Sequence, residues 1–273
     1  MRTHLRLAVL AFASISLAAS AEGPKHHMVL WSVNFAGKLT VLVNEVPVIE
    51  STTTDTGASG QLDVGEWIAP GPNTLTLKFE LPGKPTKKDP DAPKDNVEVR
   101  LIPVAAGAFP EDADAVAKIL WAEVPEKAKK FPFTQTVTAK LDVPPMRLWT
   151  DAEKVTLDAA AKKELTELTL TVFGALMAKD AAQVYELTAF KISDLAAYRP
   201  APKKEAFVKG FGGMLQKVTL ALLDPADLTF LVVAQGRVVA IRRKDGSAPI
   251  KSDQGVAMPL YAGRVGGTWV LVR

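Results

Sequence analysis

The segment "DVPPMRLWTDAEK", residues 142–154, separates two parts of the chain whose apolar residues recur at different intervals. Upstream, apolar and polar residues alternate, which is the period of a half-buried β-strand. Downstream, apolar residues recur every three or four positions, which is the period of an amphipathic helix. Pro144-Pro145 ends the last upstream strand, and Thr150 with Glu153 fits a capping box for the next helix. The sequence therefore predicts two separate cores that divide near Met146.

The upstream part is predicted to be all-β. Residues 73–81, "NTLTLKFEL", place Leu75, Leu77 and Phe79 on one face and polar residues on the other. Residues 116–124 lie between prolines, which favours a strand over a short helix. The other predicted strands are 28–35, 38–46, 96–104 and 133–143. Residues 81–96, rich in proline and charge, are predicted to form a solvated hairpin loop, and a tolerated surface insertion is favoured over a binding loop.

The downstream part is predicted to be α+β, because a run of helices precedes a run of strands. The longest predicted helix, residues 156–179, carries an apolar stripe formed by Leu165, Leu168, Val172 and Leu176. Asp180 is predicted to cap the helix that follows it. The remaining helices are predicted at 180–190, 193–199 and 203–218, and the strands at 228–234, 237–243, 255–265 and 268–273. Three glycines in the last helix, Gly210, Gly212 and Gly213, predict the close approach of another backbone.

The first 21 residues have the pattern of a secretory signal peptide. A basic segment (1–6) precedes an apolar one (7–18) and the small-residue site "ASA" (19–21), so the mature chain is predicted to begin at Glu22. The predicted domains are then a β-sandwich over 22–148 and an α+β domain over 149–273. We expect a periplasmic or secreted bacterial protein without a membrane span, because no second apolar run reaches spanning length.

Charge and cysteine content exclude several classes of function. The formal net charge is +3, and removal of Arg2 and Arg6 with the signal peptide leaves +1, so no nucleic-acid partner is expected. The chain has no cysteine, which excludes disulfides and thiolate metal sites. His26 and His27 are expected at a loose chain end, and no metal or other cofactor is predicted. The sequence contains no P-loop and no nucleophile elbow.

A corner motif in the upstream part resembles a known module. "KLTVLVNEVPVIES" followed by "GEWIAPGPNTLTLKFE" resembles galactose-binding-like jelly-roll modules found beside glycosidase domains, and an immunoglobulin-like sandwich remains an alternative. The matching positions are Asn44, Val46, Val48, Gly71, Asn73, Leu75 and Leu77. Asn73 is expected to bond its neighbouring backbone, and Trp67 to cover the end of the sandwich. The sugar-contact residues of those modules have no match here, so none is carried over.

The downstream part resembles the nuclear-transport-factor-like cone fold, also called SnoaL-like or cystatin-like. Lys179-Asp180, Gly267 and Trp269 carry this resemblance, which covers about residues 155–273. The family includes isomerases, hydratases and non-catalytic binding domains, so the resemblance implies a fold more than a reaction. It also implies a possible homodimer formed through the C-terminal sheet.

Two readings of the candidate site residues stay open. Asp194 would be a catalytic base if it lay in an apolar cavity, with Arg242 stabilising a developing anion. Alternatively, Asp194 favours a helix start and Arg242 points to solvent. Five aromatic residues line a ligand pocket or belong to the core: Tyr185, Tyr198, Phe207, Phe211 and Trp269.

Three functions are compatible with these patterns. The first is a non-catalytic binding protein of the cell envelope, whose partner is an envelope protein, a polysaccharide or a small apolar ligand. The second is an isomerase or hydratase that uses Asp194. The third is a carbohydrate-binding accessory protein that uses the upstream domain. The absence of a recognisable catalytic set favours the first.

Overall fold

A computed structural model describes residues 26–53, 57–81, 96–105, 107–125 and 129–273. These residues form two compact units, one ending at Pro145 and the other spanning Met146–Arg273. The predicted signal peptide lies outside the described residues, as does residue range 82–95 of the predicted hairpin loop. Among the described residues, no helix combines the length and apolar character needed to cross a membrane.

The N-terminal unit contains two four-stranded antiparallel sheets. Its strands are β1 (His26–Val33), β2 (Gly37–Val43), β3 (Val46–Thr53), β4 (Ala58–Asp63), β5 (Gly71–Glu80), β6 (Val97–Val104), β7 (Ala117–Leu120) and β8 (Phe133–Leu141). The first sheet has the order β4-β1-β6-β7, and the second sheet has the order β3-β2-β5-β8. The β-rich character predicted for this part of the chain is therefore confirmed.

The predicted alternation is visible in the side chains that these sheets bury. Leu75, Leu77 and Phe79 of β5 are fully buried, as are Val99 and Leu101 of β6. The Trp121 ring, which follows β7, lies 5.0 Å from the Phe133 ring of β8 and therefore connects the two sheets. Gly37 leaves room for Phe79, since a Cβ atom at position 37 would lie 2.1 Å from Cζ of that ring.

Three features of the N-terminal unit differ from the sequence prediction. The run 38–46 is two strands, because Asn44 and Glu45 turn the chain with φ angles of 49° and 69°. Residues 116–124 form the short strand β7 and then a 3-10 turn at Trp121–Glu123. His26 and His27 are not at a loose end: both belong to β1, and Nδ1 of His26 lies 2.9 Å from Oδ2 of Asp63.

Asn44 and Asn73 lock the corner between β2, β3 and β5. Asn44 Nδ2 donates to Asn73 Oδ1 (2.7 Å) and to the Trp67 carbonyl (2.8 Å). Asn73 Oδ1 accepts from the Ala69 N–H (2.8 Å), while Nδ2 donates to the carbonyls of Ala69 and Gly71. Both asparagines are 1% exposed, so these bonds satisfy polar groups that water cannot reach.

The C-terminal unit combines five helices with a four-stranded antiparallel sheet. Its helices are α1 (Arg147–Asp151), α2 (Ala159–Met177), α3 (Ala181–Leu187), α4 (Ala189–Leu195) and α5 (Lys204–Leu215). Its strands are β9 (Leu228–Val233), β10 (Val238–Arg243), β11 (Ile250–Lys251), β12 (Ala257–Met258), β13 (Leu260–Val265) and β14 (Thr268–Leu271). The sheet order is β14-β13-β10-β9, with β11 and β12 paired separately. Helices followed by antiparallel strands are therefore confirmed.

The stripe predicted on α2 faces a single apolar core. Leu165, Val172 and Leu176 are buried there together with Ile241 of β10 and Leu271 of β14. The predicted cap of α3 is also confirmed, since Asp180 Oδ1 accepts from the Gln183 N–H at 2.9 Å. Helix α4, however, begins four residues before the predicted segment 193–199.

The predicted capping box at Thr150 and Glu153 is wrong. Asp158 caps α2 instead, accepting from the Ala161 N–H at 2.8 Å. Glu153 is extended beside the sheet: its N–H donates to the Arg264 carbonyl, and its carboxylate accepts from the Gly267 N–H. Pairing with the sheet therefore outcompetes the local helix signal.

Of the three glycines in α5, only one lies close to another helix, as the sequence had predicted for all three. A Cβ atom at Gly212 would lie 3.4 Å from Cβ of Ala181 in α3, whereas Cβ atoms at Gly210 and Gly213 would have no neighbour within 4 Å. Only Gly212 therefore serves the contact between α5 and α3.

Candidate functional site

The outer face of the first sheet carries an open groove. Two adjoining hollows, each of about 330 Å³, share Ser32 and Ser59 on the neighbouring strands β1 and β4. The pairing register places Ser32 opposite Ser59, and Leu30 opposite both Gln61 and Arg100. Because opposite residues in an antiparallel pair project to the same side, these side chains share one face. We call this surface the serine groove; its side chains are those of Leu30, Ser32, Asn34, Ser59, Gln61, Asn96 and Arg100.

The depth of the serine groove comes from small side chains between longer ones. Ser32 and Ser59 have short side chains, so they cover little of the backbone of β1 and β4. Gln61 and Arg100 rise at one end, and Asn34 and Asn96 stand at the other. The groove therefore follows the strand direction, as an extended ligand would require.

Arg100, the one charged side chain among the described residues that line the serine groove, is neutralised by its neighbours. Arg100 Nη1 lies 2.8 Å from Glu98 Oε2, and Nε lies 3.7 Å from Asp112 Oδ1. The other polar groups of the groove are hydroxyls and amides, which both donate and accept hydrogen bonds. The groove thus suits a neutral ligand with mixed donors and acceptors.

Asn96 carries a buried side-chain oxygen beside this surface. Its N–H donates to Asn34 Oδ1 at 2.6 Å, and its Nδ2 donates to Glu98 Oε1 at 2.5 Å. Its Oδ1 is buried and accepts no hydrogen bond within the described ranges. An unsatisfied buried acceptor costs about 1–3 kcal/mol, and because solvent does not reach this oxygen, a ligand in the groove does not reach it either.

Asp194 lies in the interior of the C-terminal unit, where it pairs with Arg273. Oδ2 accepts from Arg273 Nη1 at 2.8 Å, and Oδ1 accepts from the Leu148 N–H at 3.3 Å. The side chains of Asp194 and Arg273 are 0% and 1% exposed. The carboxylate therefore connects α4, the start of α1 and the second residue after β14.

β10 begins after the turn that follows Val233, and Arg242 lies near the opposite end of that strand. Its guanidinium donates a hydrogen bond to a nearby main-chain carbonyl. Nη1 of Arg242 donates to the Gly246 carbonyl at 3.4 Å, in the turn after β10. The guanidinium that meets Asp194 belongs to Arg273, which sequence reasoning did not select. The catalytic roles of Asp194 and Arg242 remain predictions, while the geometry gives Asp194 a structural task.

The five predicted pocket residues do not form one group. Phe207 stacks on Phe211 (centroids 5.1 Å apart) and meets the edge of Tyr185 at 5.3 Å, so these three form a half-buried cluster between α3 and α5. Trp269 is buried in β14, and its Nε1 donates to Glu164 at 2.8 Å. Tyr198 is half-buried just after α4. Three of the five thus pack together, and their role as a ligand pocket remains a prediction.

Beside the aromatic cluster, Lys204 is held by an acidic partner. Its ammonium lies 2.5 Å from Glu186 Oε1 and 5.8 Å from the Tyr185 ring centroid. The hydrogen bond with Glu186 raises the pKa of Lys204 and so stabilises its charged form. Across the described residues, no group of three or more His, Cys, Asp or Glu side chains is placed to hold a metal ion.

Comparison with known proteins adds no further assignment. No family model, curated protein or solved structure matches this chain. The galactose-binding-like and cone-fold resemblances therefore rest on the motifs quoted above.

Proposed function

We propose that the protein is an exported, non-catalytic binding protein of the bacterial cell envelope, with the serine groove as its ligand site. The neutral lining of the groove is the observation that supports this proposal most directly. Hydroxyl and amide groups recognise a ligand rich in hydroxyls, and an envelope polysaccharide has that chemistry. A small apolar ligand fits poorly, because among the described lining residues Leu30 is the only large apolar side chain on the face that carries Ser32 and Ser59.

The finer fold assignments belong to the same proposal. Two sheets that each bury one face suit a β-sandwich of the jelly-roll or immunoglobulin-like kind in the N-terminal unit. Helices packed on a four-stranded antiparallel sheet suit a cone-like domain over residues 155–273. In this proposal the N-terminal unit binds the ligand, and the C-terminal unit has a supporting or assembly role.

The binding experiment compares a groove variant with a matched surface variant. Ser59→Trp fills the serine groove from an exposed position on an edge strand, whereas Thr138→Trp makes the same kind of change on β8 in the second sheet. We expect the full chain to bind neutral polysaccharides on a glycan array. Ser59→Trp should weaken that binding at least about tenfold, because a filled groove forfeits several hydrogen bonds of about 1 kcal/mol each.

Two outcomes would contradict the proposal. If the unmodified chain binds no neutral glycan, neutral polysaccharides are excluded as the ligand. Equal loss of binding in Thr138→Trp would move the site away from the serine groove.

Export is tested separately. After expression in a Gram-negative host, the protein should appear in the periplasmic fraction with Glu22 as its first residue, as the small-residue site at 19–21 predicts. If the chain is recovered from the cytosol with residues 1–21 still attached, the export proposal is wrong, and the proposal that the serine groove binds the ligand is unaffected.

A further inference from the structure

Strand β9 is an exposed apolar edge of the C-terminal sheet. Its six residues, "LTFLVV", include no charge, proline or glycine, and they pair with β10 without a register shift. Thr229 is exposed, and the Leu231 side chain is 49% exposed. A flat apolar edge of this kind is a template for adding another strand.

The outward backbone groups of β9 support this interpretation. In an antiparallel sheet, an edge strand directs about half of its N–H and C=O groups away from its neighbour. Outside the pairing with β10, the described part of the chain shows two backbone hydrogen bonds that involve β9, one at each end: the Leu228 N–H donates to the Pro225 carbonyl, and the Gly236 N–H donates to the Val233 carbonyl. The outer edge from Thr229 to Val232 is thus open to another strand.

Other edge strands carry features that discourage pairing. β3 contains Pro47 and a register shift where it meets β2, and β8 contains Lys140. β4 exposes the polar side chains of Ser59, Gln61 and Asp63. β7 and β14 have four residues each. Proteins use such features to prevent edge-to-edge association, and β9 lacks them.

We propose that β9 pairs antiparallel with β9 of a second copy of this chain, joining the two C-terminal sheets into one of eight strands. A two-fold axis normal to the sheet requires one residue to face its own copy. Centring the axis on Leu231 brings the two exposed leucines together on one face and sets Phe230 opposite Val232 of the second copy on the other. This pairing uses the edge of the sheet, whereas the cone-fold resemblance implied its open face.

Charge favours a second copy as the partner. The strand itself is neutral, so two identical strands meet without repulsion. In the register centred on Leu231, the acidic turn Asp224–Asp227 of one copy lies beside the turn that carries Gln235 and Arg237 in the other. Asp224 and Asp227 of each copy, the second of which also lies 4.0 Å from Lys244 of its own copy, therefore lie near Arg237 of the other copy.

Because the chain has no cysteine, a single introduced thiol tests the register directly. Residues that face each other across an antiparallel pair have Cα atoms about 4.5–5.5 Å apart, within the range a disulfide spans. Leu231→Cys should therefore form a covalent dimer under mild oxidation at micromolar concentration. Leu222→Cys is the matched control: Leu222 is 81% exposed but lies outside β9, so its cross-linking should be at least about tenfold slower.

Sedimentation velocity gives an independent readout. The unmodified full chain should sediment as a dimer, and Leu231→Lys should raise the dimer dissociation constant at least about tenfold by placing two ammonium groups at the axis. Leu222→Lys should leave the dimer intact. A monomer at every concentration would overturn the proposal, as would equal cross-linking of the two cysteine variants or a dimer that Leu231→Lys leaves unchanged.

Discussion

Replacing Asp194 with alanine should destabilise the C-terminal unit severely. The change leaves the Arg273 guanidinium and the Leu148 N–H without their buried partner. Removing one member of a buried ion pair costs about 3–5 kcal/mol, because the remaining charge stays desolvated. Unfolding entropy is about 2.1 cal/mol/K per residue, which gives the unit Met146–Arg273 about 0.27 kcal/mol/K. The melting temperature of that unit should therefore fall by roughly 11–19 °C.

Differential scanning calorimetry of the full chain measures this shift, and hydrogen exchange assigns the weakened transition to residues 146–273. Asp151→Ala is the matched control, since that aspartate pairs with Arg147 at the surface and its loss should leave Tm unchanged. The double variant Asp194→Leu with Arg273→Met should recover much of the loss, because an apolar pair leaves no buried charge. If Asp194→Ala lowers the melting temperature by less than about 3 °C, the structural role of the ion pair is refuted.

Three further predictions concern the corner, a close contact and a turn. Asn73→Ala should cost the N-terminal unit about 2–4 kcal/mol in urea unfolding, because backbone groups at the corner lose their partners; an unchanged midpoint would contradict this. Gly37→Ala should cost about 1–3 kcal/mol, because the new methyl group overlaps the buried Phe79 ring. Gly174→Ala is the control: this glycine lies in open space on α2, so the change should stabilise by about 1 kcal/mol. Similar effects of the two changes would disprove the contact. Hydrogen bonds from the side chain and N–H of Ser247 lower the pKa of Asp245 to about 2, so the stability it adds is present above the ordinary value of 3.8 and is lost as pH falls through 2. An NMR titration should show that low pKa and its rise in Ser247→Ala.

Sequence periodicity predicted the elements whose burial is one-sided. The alternation in β5 and the stripe on α2 are each set by one buried face, so residue spacing alone locates them. β4 was missed because "ASGQLD" has neither an apolar alternation nor β-branched residues. The predicted strand 38–46 ran across the turn at Asn44-Glu45 because neither residue is a glycine, although both adopt positive φ.

The candidate site was harder to predict than the elements. Leu30, Gln61 and Arg100 are far apart in sequence, and only the order β4-β1-β6 makes them neighbours. The partner of Asp194 was missed for a similar reason: an arginine at the end of an apolar strand is typical of a solvent-facing position, and only tertiary packing buries Arg273. Local patterns carry no information about such contacts.

The lock formed by Asn44 and Asn73 has a consequence for mutational tolerance. Apart from the bond between the two amides, its hydrogen bonds go to main-chain atoms, which are the same in every sequence. A saturation scan read out by protein abundance should therefore find these two asparagines nearly irreplaceable. The exposed prolines at positions 70 and 72, just before β5 and at its start, make no such side-chain hydrogen bonds and should accept most substitutions.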